Sequence, residues 1–525
     1  MATMDKGIAN LQRSDTSRNS EKLKKSLNAV QVFFIIVSTV IGTGVFTGNG
    51  IALAVAGPVG LLLNVVGVGL VAVCVAETVS ELTQLWTVPN AVYYYIKYFV
   101  DTEAAWVVTA LYWYSYSAVF AVQMLGAANL VQFWDLTAIW PPFIFYLIVP
   151  ILLLSINLAG ISFYGWVETV CGMLKTILIF GVICTLFDIS TKNGYAGSDG
   201  PISSGLQFDA KLTTRKSQSF FYGIPQVTYS YIGIESAAIA AFESIDAQAV
   251  SIPSQFVHWL ILVLYFLCSL GIALTVRWDD VHLTHPLADL PYPRSNSPTI
   301  IAIGKDARLG ITPLPAFVNG CLIMSTVSAA AASLYLAGRT LYGLAFGVDV
   351  QESNWVSRTF KGLSVVWEKT TVPAKALLVT VLAFFWLPWL SEAPQGKGFA
   401  ARDVQHVLGM TASMSCIITW AFLCLAFIRF QRLAKRCETS PTTSIAVQGL
   451  SRYVQPKRGK LVRGVGAAFQ PWPATVGFLG CVIVSISASA PWWAKPARTR
   501  DVLAAYGPVR LPPPVSPSAL SRTGC

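Results

Sequence analysis

The sequence predicts an all-α polytopic membrane protein, and three observations carry that prediction. Of 525 residues, 54% are hydrophobic and only 12% are charged, against about 25% charged in soluble domains. That supply could not cover the surface of a water-soluble chain this long, and one soluble core stops growing near about 250–300 residues. The apolar residues gather into runs close to the roughly 20 residues that cross a bilayer. The charges cluster in the segments between the runs, as membrane loops demand.

Eleven runs qualify, read here as spans one to eleven: Ala29–Phe46, Val55–Val79, Ala104–Phe133, Pro141–Leu158, Val167–Phe187, Ser219–Phe242, Phe256–Val276, Phe317–Ala337, Val372–Leu390, Val404–Phe427 and Ala474–Ala488. Two of them look interrupted. Span one contains Gly42-Thr43-Gly44, and span six contains Pro225 and Gly233. Such breaks free backbone groups that an apolar medium cannot satisfy. Residues 1–27 are polar and lack the apolar stretch of a signal peptide, so a disordered cytosolic tail is expected there. The membrane domain is expected over residues 28–490, with its core of ten spans within 28–428. After Trp492-Trp493 the composition turns Pro- and Arg-rich. Pro508, Pro512, Pro513, Pro514 and Pro517 oppose a helix, and residues 491–525 are expected to be disordered and to form no twelfth span.

Loop charge orients the chain. With the N-terminus in the cytosol, the inner segments hold six Lys/Arg in the tail, one at Lys97, five from Arg339 to Lys375 and nine from Arg429 to Arg463. The outer loops hold ten. This positive-inside bias accounts for the net charge of +11. No basic face with interleaved aromatics sits in a soluble module, so no nucleic-acid partner is expected. Eight cysteines, among them Cys74, Cys268 and Cys416, lie in or beside apolar runs without a CxxC pair, as buried small hydrophobes do. His258, His282, His285 and His406 show no ligand spacing and read as loop or interface residues. Neither a metal site nor a cofactor is expected.

Three features carry candidate chemistry. In Ile41-Gly42-Thr43-Gly44-Val45-Phe46, glycines let backbone N–H groups approach a ligand, and a half-helix end there favours an anionic group such as a carboxylate. The competing reading is a glycine face for helix packing. In Tyr231-Ile232-Gly233-Ile234-Glu235, a carboxylate sits deep in an apolar run, where charges face a cavity or a partner. It lies five spans after the first break, the pattern of a site between inverted repeats. Lys175 is flanked by Met173-Leu174 and Thr176-Ile177. An ammonium taken out of water is destabilised relative to the neutral amine, which suits a group that exchanges a proton. Snorkelling to an interface is the alternative. Glu77, near the inner end of span two, and Glu168, at the start of span five, read as interfacial or gate residues.

In this order, these motifs resemble the fungal amino acid permeases of the amino acid–polyamine–organocation superfamily. Ile41–Phe46 is similar to the family's glycine-rich first-span motif, followed by Ala56-Gly57-Pro58. Tyr112-Trp113-Tyr114, Asn157-Leu158-Ala159-Gly160 through Glu168, Lys175, Gly233-Ile234-Glu235 with Glu243, and Leu334-Tyr335 with Arg339 resemble later landmarks. The chain departs from the pattern at Gln123, where a Glu is usual, and at Ala331-Ala332, where an Asn-Ser pair is usual. The resemblance covers roughly residues 28–490. It implies a LeuT-like fold of 5+5 inverted repeats, discontinuous at spans one and six. By the same resemblance, a substrate carboxylate would meet the backbone around Ile41, Gly42, Thr43 and Gly44, and its amino group the carbonyls around Tyr231, Ile232, Gly233 and Ile234. Lys175 would serve proton coupling, and Glu235, a carboxylate inside span six, is the second candidate for that role.

The resulting expectation is a secondary active transporter, not an enzyme, that moves an amino acid or related amine-bearing solute with protons by alternating access. Its expected setting is the plasma-membrane bilayer. Two other readings remain at this stage: a nutrient sensor that binds without transport, and an inactive truncated permease product, to which the proline-rich tail points.

Overall fold

The computed structural model describes residues 23–85, 87–134, 140–193, 200–206, 215–245, 247–280, 283, 297–305, 313–346, 360–367, 369–392, 401–438, 470–490 and 507. The expectations for most of the tail before residue 28 and for residues 491–525 fall outside that set. Among the described residues, regular structure is helical, apart from isolated bridges at Leu27–Ser244 and Trp367–Val372.

All eleven expected runs form helix, but two of them do so in pieces. Span one runs Ala29–Val40, breaks, and resumes through a π-helical turn at Gly44–Gly48. Helix then continues over Asn49–Leu85, taking in the rest of span one and all of span two. Gly57 (φ 72°, ψ 176°) turns the chain between them. That φ favours glycine, and Pro58 opens the next helix, where a missing N–H costs least. Span three is Thr102–Val131 and span four Ile144–Leu158; span five is Ile161–Lys192. Span six is Lys216–Tyr231, then, past its break, Ala237–Ala240 with a 3-10 turn to Glu243. Spans seven to eleven are Ala247–Thr275, Leu314–Phe346, Ala374–Leu390, Ala401–Glu438 and Trp472–Ser487.

Six of these stretches are long and apolar enough to cross a bilayer by length and composition, the first being Ala29–Leu85. Ile144–Leu158, Ala374–Leu390 and Trp472–Ser487 are shorter apolar helices. Spans one, three and eight are buried along most of their length, through residues such as Ile36, Tyr112, Phe120, Leu334 and Tyr335. Spans five and eleven instead present Phe163, Trp166, Ile177 and Phe180, and Leu479, Ile483 and Ile486, to the outside. In water such faces would be a liability; against lipid tails they cost nothing. The chain is an all-helical, multi-span integral membrane protein.

Four expectations are corrected. Pro225 does not interrupt span six; the helix runs through it, and the break falls at Ile232–Gly233. The cause is backbone geometry, since Gly233 has φ 112°, whereas a proline inside a helix removes one N–H and need not end it. Span five starts seven residues before Glu168, at Ile161, so Glu168 lies two turns inside the helix and is fully buried. Span two runs on to Leu85, which likewise takes Glu77 away from the helix end and buries it. There His258 Nε2 and Trp259 Nε1 lie 3.0 and 3.4 Å from Glu77 Oε1, and His258 is a buried residue of span seven, not a loop histidine. His282 and His285 lie outside the described residues. Sequence reading also missed the short helix Ala91–Phe99, capped by Asn90 Oδ1 accepting from Tyr93 N–H.

Gly233→Ala should destabilise the protein by about 1–3 kcal/mol through its backbone alone, and more because a Cβ there would stand 2.7 Å from Thr39 Cγ2. Gly160→Ala has the same φ of 112° with only ordinary contacts, 3.7 Å or longer, and should pay the backbone cost alone. Melting temperatures of the purified variants in detergent check the ranking, with Gly233→Ala below Gly160→Ala and both below the parent.

Candidate functional site

The site grows from the two breaks. Ile41 leaves helical geometry at φ −78°, ψ 96°, so the last turn of the first half-span has carbonyls to place. Neighbouring spans supply donors. Lys175 Nζ donates to Ser38 O at 2.7 Å, Tyr265 OH to Val40 O at 2.8 Å, and Ser325 Oγ to Ile41 O at 3.3 Å. On the far side, Thr43 N–H and Thr43 Oγ1 donate to Gln123 Oε1 at 3.4 and 3.0 Å. One of the amides expected to face a substrate carboxylate is therefore engaged by span three.

In span six, Tyr231 ends the helix and its hydroxyl donates to Val65 O at 3.0 Å. Helix restarts with Ser236 N–H donating to Gly233 O at 3.0 Å. Ile232 and Ile234, between them, are buried. The two broken spans touch backbone to backbone. A Cβ at Gly44 would stand 2.5 Å from Ser230 Cα, and one at Gly42 would meet Gln123 Nε2 at 2.7 Å. Both glycines thus serve packing as well as any approach of a ligand.

Glu235 follows the second break. Its Oε1 accepts from Tyr116 OH at 2.5 Å and from Cys416 Sγ at 3.6 Å. Its Oε2 is buried with no hydrogen-bond partner, as are Ser230 Oγ and Ser236 Oγ on the same stretch. An unpartnered carboxylate oxygen in an apolar interior is costly, and three such atoms around one break mark a surface suited to a polar ligand.

The sequence-predicted lysine lies close by, and it does not snorkel. Lys175 is fully buried, with Nζ also 3.0 Å from Ser38 Oγ. Ser38 Oγ donates to Glu168 Oε2, and Ser328 Oγ of span eight donates to the same oxygen at 3.1 Å. Lys175 and Glu168 are thus joined through Ser38 of span one, and the buried Glu168 is not interfacial, one of the two roles expected of it. Nearer the start of span one, Glu243 pairs with Arg339 Nε at 3.1 Å and accepts from Tyr335 OH at 2.6 Å. Tyr164 stacks on Tyr335 with centroids 4.8 Å apart. The chain just before span one crosses here, with Ser26 and Leu27 N–H both donating to Glu243 O at 2.9 and 3.0 Å. Sequence reading did not single out Ser38, Tyr116 or Ser328, because a hydroxyl in an apolar run usually bonds its own helix and only the packing shows otherwise. Among the described residues, no group of three His, Cys, Asp or Glu is placed to hold a metal ion.

Gly44→Ala should lower the melting temperature, because Ser230 Cα is backbone and cannot yield, with a packing cost of about 1–3 kcal/mol. Gly42→Ala meets the movable amide of Gln123 and, at 3.0 Å, Ala329 Cβ; it should lower the melting temperature less than Gly44→Ala while weakening substrate binding, because the Gln123–Thr43 contact must shift. Parallel melting and binding measurements on the two variants check this split.

The amino acid permease family matches residues 31–446. A probable lysine/arginine permease of Candida albicans is 28% identical over 478 residues, 88% of this chain and 75% of that protein. A cationic amino acid transporter of Schizosaccharomyces pombe is 26% identical over 80% of this chain and 68% of its own length. A Na+-coupled sialic acid symporter in a substrate-bound outward-open state aligns over 94% of this chain and 96% of its own, at 11% identity and a TM-score of 0.48. The family match extends from the start of span one past the end of span ten, and the two glycine breaks and the buried lysine fall within it: the chain belongs to the amino acid permease family, a family of transporters and not of enzymes.

Proposed function

We propose that this protein is a proton-coupled secondary transporter of amino acids with a basic side chain, working by alternating access in the plasma membrane with its N-terminus in the cytosol. The observation that carries the substrate class is Glu235 Oε2, a buried carboxylate oxygen without a partner beside the second break. The described charges near the breaks are Glu168, Lys175 and Glu235, so the region is short of one positive charge. An ammonium or guanidinium at the end of a substrate side chain supplies it and forms a charge-assisted hydrogen bond. Relatives named as lysine/arginine permeases point the same way. The substrate's own carboxylate would lie toward the Gly42–Gly44 backbone. Coupling is assigned to Lys175, whose ammonium holds the carbonyl of Ser38 in the first half of span one. Loss of its proton weakens that hold, so protonation and the position of the half-span are linked.

The test is uptake of radiolabelled lysine, arginine, alanine and glutamate in cells lacking their own permeases. Lysine and arginine should be taken up and concentrated, faster at lower external pH, with alanine and glutamate poor substrates. Glu235→Gln should weaken lysine uptake by about tenfold or more, the scale of one charge-assisted hydrogen bond lost. Lys175→Ala should flatten the pH dependence and abolish concentration against a gradient while leaving exchange. Preferred uptake of alanine overturns the substrate class; a normal pH profile in Lys175→Ala moves the proton role elsewhere.

A further inference from the structure

Ser38 stands between the buried ammonium and the buried carboxylate of span five. It accepts from Lys175 Nζ at 3.0 Å and donates to Glu168 Oε2. All three side chains are fully buried. A hydroxyl that accepts on one side and donates on the other is the minimal element of a proton wire. The geometry points to Ser38 as a relay that passes a proton between Lys175 and Glu168, connected only while the first half of span one is seated against span five. This rests on the coupling role assigned to Lys175.

The step balances without any other reactant. A proton leaves Lys175 Nζ for Ser38 Oγ as the serine's own proton moves to Glu168 Oε2. The ammonium becomes a neutral amine, the carboxylate becomes a carboxylic acid, and the serine is unchanged. The cluster keeps its net charge, so no charge is stranded in the apolar interior. The reverse step restores the start.

Placement makes the relay switchable. Glu168 and Lys175 share one helix and keep their spacing. Ser38 belongs to another, two residues before its end, and is tied to Lys175 by its carbonyl as well. If the half-span tilts away, both contacts part and the wire opens. Ser328 lies 2.8 Å from Ser38 Oγ and 3.1 Å from Glu168 Oε2. Its one proton goes to Glu168 Oε2 while Ser38 donates there too, and no hydrogen bond joins it to Lys175, so it steadies the carboxylate and does not replace the relay. The other titratable groups near the pair are Cys171, between them on span five, and Tyr164, one turn before Glu168. Tyr164 has an unpartnered hydroxyl and stacks on Tyr335, which bonds Glu243 beside Arg339. Glu168 Oε1 is also unpartnered, so the carboxyl keeps one oxygen free to pass a proton on.

The experiment uses the full-length protein in proteoliposomes. It reads lysine accumulation driven by an imposed pH gradient, and lysine–lysine exchange with no gradient. Ser38→Ala and Glu168→Gln should lose gradient-driven accumulation by at least about tenfold, a modest share of what a positioned proton donor supplies. Exchange by Ser38→Ala should stay close to the parent. Ser38→Thr keeps the hydroxyl and should retain both activities. In the parent, deuterated water should slow gradient-driven uptake more than exchange, a readout that needs no variant to fold. Normal accumulation by Ser38→Ala, or equal isotope effects on the two activities, overturns the relay. If Lys175→Ala loses coupling while Ser38→Ala and Glu168→Gln keep it, the relay falls and the coupling role of Lys175 stands. If Lys175→Ala also keeps coupling, both fall together.

Discussion

The structure depends on one constraint: where a helix breaks in an apolar medium, its backbone groups must still be satisfied. Water is absent, so other spans have to send donors and acceptors. The end of the first half-span shows how strict this is. Three of its carbonyls are met by Lys175, Tyr265 and Ser325, from spans five, seven and eight. On the other side of the gap, Gln123 of span three takes the amide of Thr43. Four spans are therefore pinned to one short stretch of chain. The fold is organised around the gap as a lattice of donors aimed at specific backbone atoms, and the surrounding apolar contacts follow from it.

Polar demand also explains which buried charges the protein keeps. Glu243 has both carboxylate oxygens met, one by Arg339 Nε and the other by Tyr335 OH, while Arg339 Nη1 stays without a partner. Glu77 is met by His258 and Trp259. The charges around the breaks are less complete, since Glu168 and Glu235 each keep one oxygen without a partner. A native core rarely leaves buried polar atoms unsatisfied. Two buried carboxylates beside the breaks that each keep an oxygen unmet are candidates for work beyond holding the fold.

Much of this was legible in the sequence, for physical reasons that can be named. A bilayer demands apolar runs of fixed length, so the spans show in the sequence alone. Gly42-Thr43-Gly44 showed the first break because glycine runs inside an apolar helix need a reason. The second break was placed near the right residues, but Pro225 was misread, because proline and Gly233 look alike as breakers and only the positive φ distinguishes them. Glu77 and Glu168 were misjudged because the edge of an apolar run is not the end of a helix. Ser162, Tyr164 and Gly165 dilute the start of span five without stopping it, so Glu168 seemed to sit at a boundary that lies elsewhere. Ser38 and Ser328 carried no signal, since their importance lies in partners 130 and 160 residues away from Glu168 in the chain, respectively.

The crossing of Ser26 and Leu27 beneath span six has a mechanical consequence. Their two amides grip the carbonyl of Glu243 while Ile245 N–H returns a bond to Leu27 O at 3.1 Å, and Leu23 packs against Phe242, Leu341 and Tyr342. Ser26 also meets Ser162 at the start of span five, at 2.9 Å. The chain ahead of span one is therefore anchored to the same residue whose carboxylate holds Arg339. Tension applied to the N-terminus, by a fused domain or a tethering partner, is delivered first to this clasp and through it to spans five, six and eight, before any of it reaches the helix of span one.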